Sequence, residues 1–375
     1  VSDDAHADTL AETVAQVGPA LLGALEALEK AERRLDPVAI PALRGALGPL
    51  LDPLEERSRR LADLPAGTGT EGPATESFVA AFSAAVEHTI RALRLFTESS
   101  APDQAVARIL GSMEARCRAC EHLYPMRRVL PPVSRFFLEP AAWERAAELD
   151  PDPPAQERCG VLRAPGAPDG RGGFALYVPE SVAADEPRPL VVALHGGSGR
   201  GEDFLWTWLR EARSRRCLLL APTSRGSTWS FNGPDVDAPA LRSMVEYVAS
   251  HWAVDRERIL LTGLSDGATY TLCCGLQPES PFTAMAPLSG VLHPANFANG
   301  NLERARGRRI YLVHGARDWM FPIGIARMAA GELEKAGADL TFREVEDLSH
   351  TYAREENARI LEWFDPDLAL PPPRP

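Results

Sequence analysis

The sequence predicts two parts of different class: an all-α helical bundle, then an α/β domain on a doubly wound, mostly parallel sheet. Three observations carry this. Apolar residues recur at helical spacing through the first 150 residues, short β-rich runs alternate with amphipathic stretches beyond residue 156, and the proline-dense DPDPPAQ (150–156) separates the two patterns. The expected domains are a bundle over 1–150, a linker over 151–156, an α/β domain over 157–365 and a proline-rich tail over 366–375.

In the bundle, Leu10, Val14, Val17, Leu21, Leu25 and Leu28 form one stripe, introduced by a capping box from Thr9 to Glu12. Gly18 and Pro19 are expected to kink or divide that helix. A second helical stretch runs over 38–61, broken by Pro49 and Pro53, and PAGTGTEGPA (65–74) reads as a loop. Phe78, Phe82, Val86, Ile90 or Thr89, and Leu93 mark a third helix, and Val106, Ile109, Leu110, Met113, Cys117 and Cys120 a fourth. Short loops between amphipathic helices imply antiparallel neighbours.

Beyond the linker, FALYVP (174–179), PLVVALHGG (189–197), CLLLAPTS (217–224), RILLTGLSDG (258–267), 282–288, RRIYLVHG (308–315) and LTFREVE (340–346) read as strands. Helical stretches lie near 204–213, 238–252, 268–276, 323–336 and 353–364. Such alternation means parallel strands with crossover helices on both faces, and chemistry sits at the carboxyl ends of those strands.

Composition narrows the function. A chain of 375 residues with 45% apolar and 25% charged residues is that of a globular protein. A net charge of -12 argues against a nucleic-acid partner, because phosphate binding needs clustered Lys and Arg. No segment is long and apolar enough to span a bilayer, and the acidic start VSDDAHADTL lacks a signal-peptide pattern, so a cytoplasmic location is expected. Six scattered cysteines read as reduced thiols. Cys117 and Cys120 with His122 nearby invite a zinc reading, but no second pair follows and both thiols continue an apolar stripe, so no metal is expected.

Ser265 follows the apolar run Ile259 to Leu261 and precedes a helical run, with Gly263 and Gly267 two positions to either side. This is a strand, sharp turn and helix that expose a serine hydroxyl, and side chains at the glycine positions would collide with neighbours. The Asp266 N–H at the helix start suits an oxyanion. A serine needs a base, and the base an orienting carboxylate. Asp318 and His350 each follow a strand, in the chain order of α/β-hydrolase triads. Rival bases are His195, His293 and His314, and rival carboxylates Asp237 and Asp347. The glycines from Gly196 to Gly201 lack a P-loop lysine and the dinucleotide spacing.

Residues 157–364 resemble an α/β-hydrolase of the serine esterase kind. LHGGSGRGEDF (194–204), RILLTGLSDGAT (258–269), VHGARDWMFP (313–322) and LSHTY (348–352) are similar to segments of the dienelactone hydrolase, phospholipase/carboxylesterase and polyhydroxybutyrate-depolymerase-like branches. The resemblance implies Ser265 as nucleophile, His350 as base, Asp318 as its orienter, and an oxyanion hole from the Gly197 and Asp266 N–H groups. It does not extend to residues 1–150.

The expected function is hydrolysis of carboxylic esters through an acyl-enzyme, with no metal or organic cofactor required. Thioester, lactone, polyester-oligomer and peptide substrates share this machinery. Trp229, Phe231, Trp319 and Phe321 are candidates for substrate contact, with an ordinary packing role as the alternative. The bundle is expected to shape substrate entry as a lid or to build a homo-oligomer. In a reading of another class, it is a partner-binding module on a non-catalytic hydrolase scaffold.

Overall fold

A computed structural model describes residues 2–62, 73–98, 102–166, 170–231 and 233–372, the side chains at 2–9, 62, 73, 102 and 103 excepted. The chain divides into two compact units, Val1–Phe136 and Phe137–Pro375.

The first unit is helical, with α1 Ser2–Arg33, α2 Ile40–Leu47, α3 Leu51–Ala62, α4 Pro73–Thr97, α5 Pro102–Leu123 and α6 Pro131–Phe136. Helix α1 begins before the expected capping box and continues through Pro19 undivided. The break in the second stretch falls at the 3-10 turn Gly48–Leu50. Pro53 lies in the first turn of α3, where its missing N–H costs nothing. Of the expected loop at 65–74, residues 65–72 lie outside the described residues and Pro73 begins α4. Val17, Leu21, Leu25 and Leu28 are buried as their spacing requires, with Phe82, Val86 and Leu93. The fourth stripe is corrected in part: Ile109, Cys117 and Cys120 are buried as expected, with Ala119 and Leu123, but Val106 and Leu110 are exposed.

In the second unit one eight-stranded sheet comprises β1 Gly160–Ala164, β2 Phe174–Val178, β3 Arg188–Leu194, β4 Leu218–Pro222, β5 Val254–Leu264, β6 Ala284–Leu288, β7 Arg309–Gly315 and β8 Asp339–Val345. Its order is β1-β2-β4-β3-β5-β6-β7-β8. Strand β2 runs antiparallel to β1 and β4, and all other pairs are parallel, which is the α/β-hydrolase arrangement. Its helices are α7 Ala146–Leu149, α8 Gly201–Ser214, α9 Asp237–His251, α10 Asp266–Gly275, α11 Ala295–Ala298, α12 Ile323–Lys335 and α13 Glu356–Phe364. Leu190, Val192 and Leu194 of β3 face a core shared with Leu241, Val245 and Val248 of α9 and Tyr270, Cys273 and Cys274 of α10. Helix α8 packs against β2, β3 and β4.

Residues 137–149 pack with the second unit, so its start precedes the expected linker. Leu138, Ala142 and Leu149 form a small core joined by Leu370. The buried Arg213 of α8 donates to the Phe137 carbonyl and pairs with Asp150, while the Glu139 N–H donates to Ser214 Oγ. No helix among the described residues is long and apolar enough to cross a membrane.

Candidate active site

Strand β5 delivers Ser265 into a turn with φ 55° and ψ −115°, from which α10 departs. This left-handed, strained backbone is held by the Ser265 N–H donating to the Leu288 carbonyl at 2.9 Å. Both flanking glycines are required by space. A Cβ on Gly263 would lie 2.5 Å from the Gly267 carbonyl carbon, and one on Gly267 would lie 2.4 Å from the Leu194 carbonyl oxygen. The turn therefore rests directly on the carboxyl end of β3.

Two loops complete the constellation. The Ser265 hydroxyl is 3.0 Å from His350 Nε2, and His350 Nδ1–H donates to Asp318 Oδ2 at 2.8 Å. Asp318 follows β7 and is buried; its Oδ1 accepts the Met320 and Phe321 N–H groups at 2.9 and 2.7 Å. Burial by itself would raise the Asp318 pKa, but the hydrogen bonds from His350 and the Phe321 N–H bring it below the usual carboxylate range. The carboxylate thus stays charged and fixes the imidazole tautomer that leaves Nε2 free to accept the serine proton.

The loop after β3 passes over the elbow. The N–H groups of Gly197 and Asp266 have no acceptor among the described residues, whereas the Ser198 N–H, from a residue with φ 60°, donates to the Ser227 carbonyl. Asp266 Oδ2 accepts the Thr228 hydroxyl at 2.5 Å.

The rival histidines and Asp237 have other surroundings. His195 is buried, accepts the Ser224 N–H on Nε2 and donates from Nδ1 to the Gly196 carbonyl, and burial lowers its pKa to about 4. It shapes the loop as a neutral ring. His314 donates from Nε2 to the Phe321 carbonyl at 2.7 Å and lies 3.4 Å from Asp318 Oδ2, so it supports the carboxylate rather than the serine. His293 stacks on Phe231 with centroids 5.5 Å apart. Asp237 organises the 225–237 loop by accepting the Arg225 and Ser230 N–H groups.

Of the four aromatic candidates, Trp229 is corrected. It is 3% exposed, stacks on Tyr270 and donates its indole N–H to the His195 carbonyl, which leaves it no face for substrate. Phe321 meets the His350 ring edge-on at 5.2 Å, and the exposed Trp319 does so at 6.5 Å. Phe231 is half-buried against Tyr270 and His293. Thr228 had no signal in the sequence, because its contact with Asp266 spans 38 positions and depends on how the loops after β4 and β5 meet.

Residues 235–365 match the phospholipase/carboxylesterase family. Among characterised proteins, the chain is 24% identical over 152 residues to the oxidized polyvinyl alcohol hydrolase of Sphingopyxis sp. (strain 113P3), covering 40% of this chain and 39% of that one. It is 25% identical over 147 residues to a bifunctional acetylxylan esterase/xylanase of Neocallimastix patriciarum, covering 38% of this chain and 21% of that one. The matches thus span less than half the length of either relative. Solved structures similar to the chain include Thermogutta terrifontis esterase 2 phosphorylated by paraoxon, 17% identical with a TM-score of 0.46 over 58% of this chain and 98% of that one. A thermostable esterase is 22% identical with a TM-score of 0.44, over 54% of this chain and 61% of that one.

Proposed function

We propose that the protein is a serine hydrolase that cleaves carboxylic esters through an acyl-enzyme on Ser265. The reading is carried by one arrangement: the hydrogen-bonded series of Ser265, His350 and Asp318 at the carboxyl end of the sheet, with a strained turn presenting the serine. The family match over 235–365 supports it.

His350 Nε2, 3.0 Å from Ser265 Oγ, takes the hydroxyl proton as the oxygen attacks the ester carbonyl. Asp318 holds the imidazolium that forms and stabilises its charge. Negative charge on the carbonyl oxygen meets the N–H groups of Gly197 and Asp266, the latter at the positive end of α10. His350 then gives its proton to the departing alcohol, and water repeats the sequence to release the acid. Since His350 must reach the alcohol oxygen, Phe321 and Trp319, which contact its ring, border the leaving group. Phe231 is assigned to the substrate wall beside His293.

The test is labelling by a fluorophosphonate probe together with turnover of p-nitrophenyl acetate and butyrate. Ser265→Ala is expected to lose both. Retained activity in that variant would overturn the reading.

A further inference from the structure

The Asp266 side chain is not needed to donate to an oxyanion, since its backbone does that. Its position is nevertheless specific. Asp266 Oδ2 lies 2.8 Å from where a Cβ on Gly197 would be, so the carboxylate leans over the backbone whose N–H is the second proposed donor. Thr228 tethers it there through its hydroxyl. Among the described residues no Lys, Arg or His pairs with it. Arg171 and Arg200, whose charges act on the nearby His195, donate to neutral oxygens, Arg171 to the Gly199 carbonyl and Ser224 Oγ and Arg200 to the Gly170 carbonyl, and neither forms an ion pair with the Asp266 carboxylate. Asp266 is half-buried and beside the elbow, so solvent screens its charge only in part.

A carboxylate in the first turn of a helix suits the helix dipole. An asparagine could accept the Thr228 hydroxyl through its amide oxygen without setting an unpaired negative charge beside a developing oxyanion. A charge so placed acts on whatever charge the substrate brings. We propose that Asp266, held by Thr228, makes the site select its substrates by charge, favouring esters with a cationic acyl group over neutral ones and neutral over anionic ones. This rests on the ester-hydrolase reading. Its chemical consequence is a substrate class: esters whose acyl part is neutral or carries an ammonium group.

The expected size follows from Coulomb's law. A unit charge about 6 Å from a carboxylate, at an effective dielectric near 40, changes affinity roughly tenfold. Cationic and anionic acyl groups should therefore differ by roughly a hundredfold.

The experiment measures kcat/KM for p-nitrophenyl pentanoate, its hemiglutarate analogue and its 4-(trimethylammonio)butyrate analogue. The proteins are the full chain and its Asp266→Asn and Asp266→Ser variants, with folding checked by tryptophan fluorescence. Wild type is expected to prefer the cationic over the anionic ester roughly a hundredfold, and at least one folded variant to shrink that ratio to about threefold. Equal ratios in wild type and variants, or a wild type indifferent to acyl charge, would overturn this proposal alone. A protein that neither reacts with a fluorophosphonate nor hydrolyses any of the three esters would overturn the hydrolase reading with it.

Discussion

Replacing His195 by Gln is expected to make stability fall with pH relative to wild type between about pH 4 and 6.5. Two buried groups of the second unit oppose each other there. Burial lowers the His195 pKa from 6.5 to about 4, aided by Arg171 and Arg200 and opposed by the Gly196 carbonyl. Between those values the unfolded chain binds a proton that the folded chain does not, so stability rises with pH by roughly 3 kcal/mol. Burial raises the Glu211 pKa from 4.5 to about 7, against the pull of Arg354 and Arg210. Here the folded state holds the extra proton, so that contribution is complete below pH 4.5 and lost as pH climbs to 7, by roughly 3 kcal/mol. The two slopes oppose each other over most of their range, and the buried His314, whose pKa burial also lowers, adds to the rise. His195→Gln exposes the Glu211 decline, and Glu211→Gln exposes the His195 rise. Gln at 195 can still accept the Ser224 N–H, and Gln at 211 can still accept from Asn357 Nδ2, so both replacements keep a partner. The assay is urea unfolding followed by tryptophan fluorescence from pH 4 to 7.5 at fixed ionic strength. All tryptophans lie at position 143 or later, so the signal reports the second unit alone. Curves for both variants that run parallel to wild type would refute the reasoning.

Gly267→Ala would place a methyl 2.4 Å from the Leu194 carbonyl oxygen and 2.5 Å from that of His195, costing about 1–3 kcal/mol and displacing the serine. Its melting temperature and kcat/KM should both fall, the latter by about a hundredfold. Gly331→Ala, inside α12 with nothing within 4 Å of the new Cβ, is expected to raise the melting temperature through about 0.5–1 kcal/mol and to leave turnover unchanged. Asp318→Asn should lower kcat by roughly 10⁴, because an amide cannot enforce the tautomer that frees His350 Nε2; steady-state kinetics with p-nitrophenyl butyrate check this.

The nucleophile turn was legible because its cause is local: Gly263 and Gly267 are demanded by contacts within the strand-turn-helix unit and with the strand end beneath it. Asp318 and His350 were legible because each follows a strand, and parallel strands bring their carboxyl ends to one side. The edge strand β1 was not, since GVLRA is mostly half-exposed and carries little hydrophobic signal, and neither was the reversed direction of β2. Residues 137–149 read as the end of the bundle by composition, yet buried pairing with Arg213 ties them to the sheet domain.

The sequence by itself determined which residue types could do the chemistry and the order in which strands would present them, because both follow from spacing along one chain. Only the tertiary structure decided what those residues touch. The sheet order puts β3 between β4 and β5, and so lays the loops after all three against one another. That proximity buries Trp229 under His195, keeps His195 neutral, and sets the Asp266 carboxylate between Thr228 and Gly197. Contacts of this kind join residues tens of positions apart, and no local pattern of apolar and polar residues encodes them.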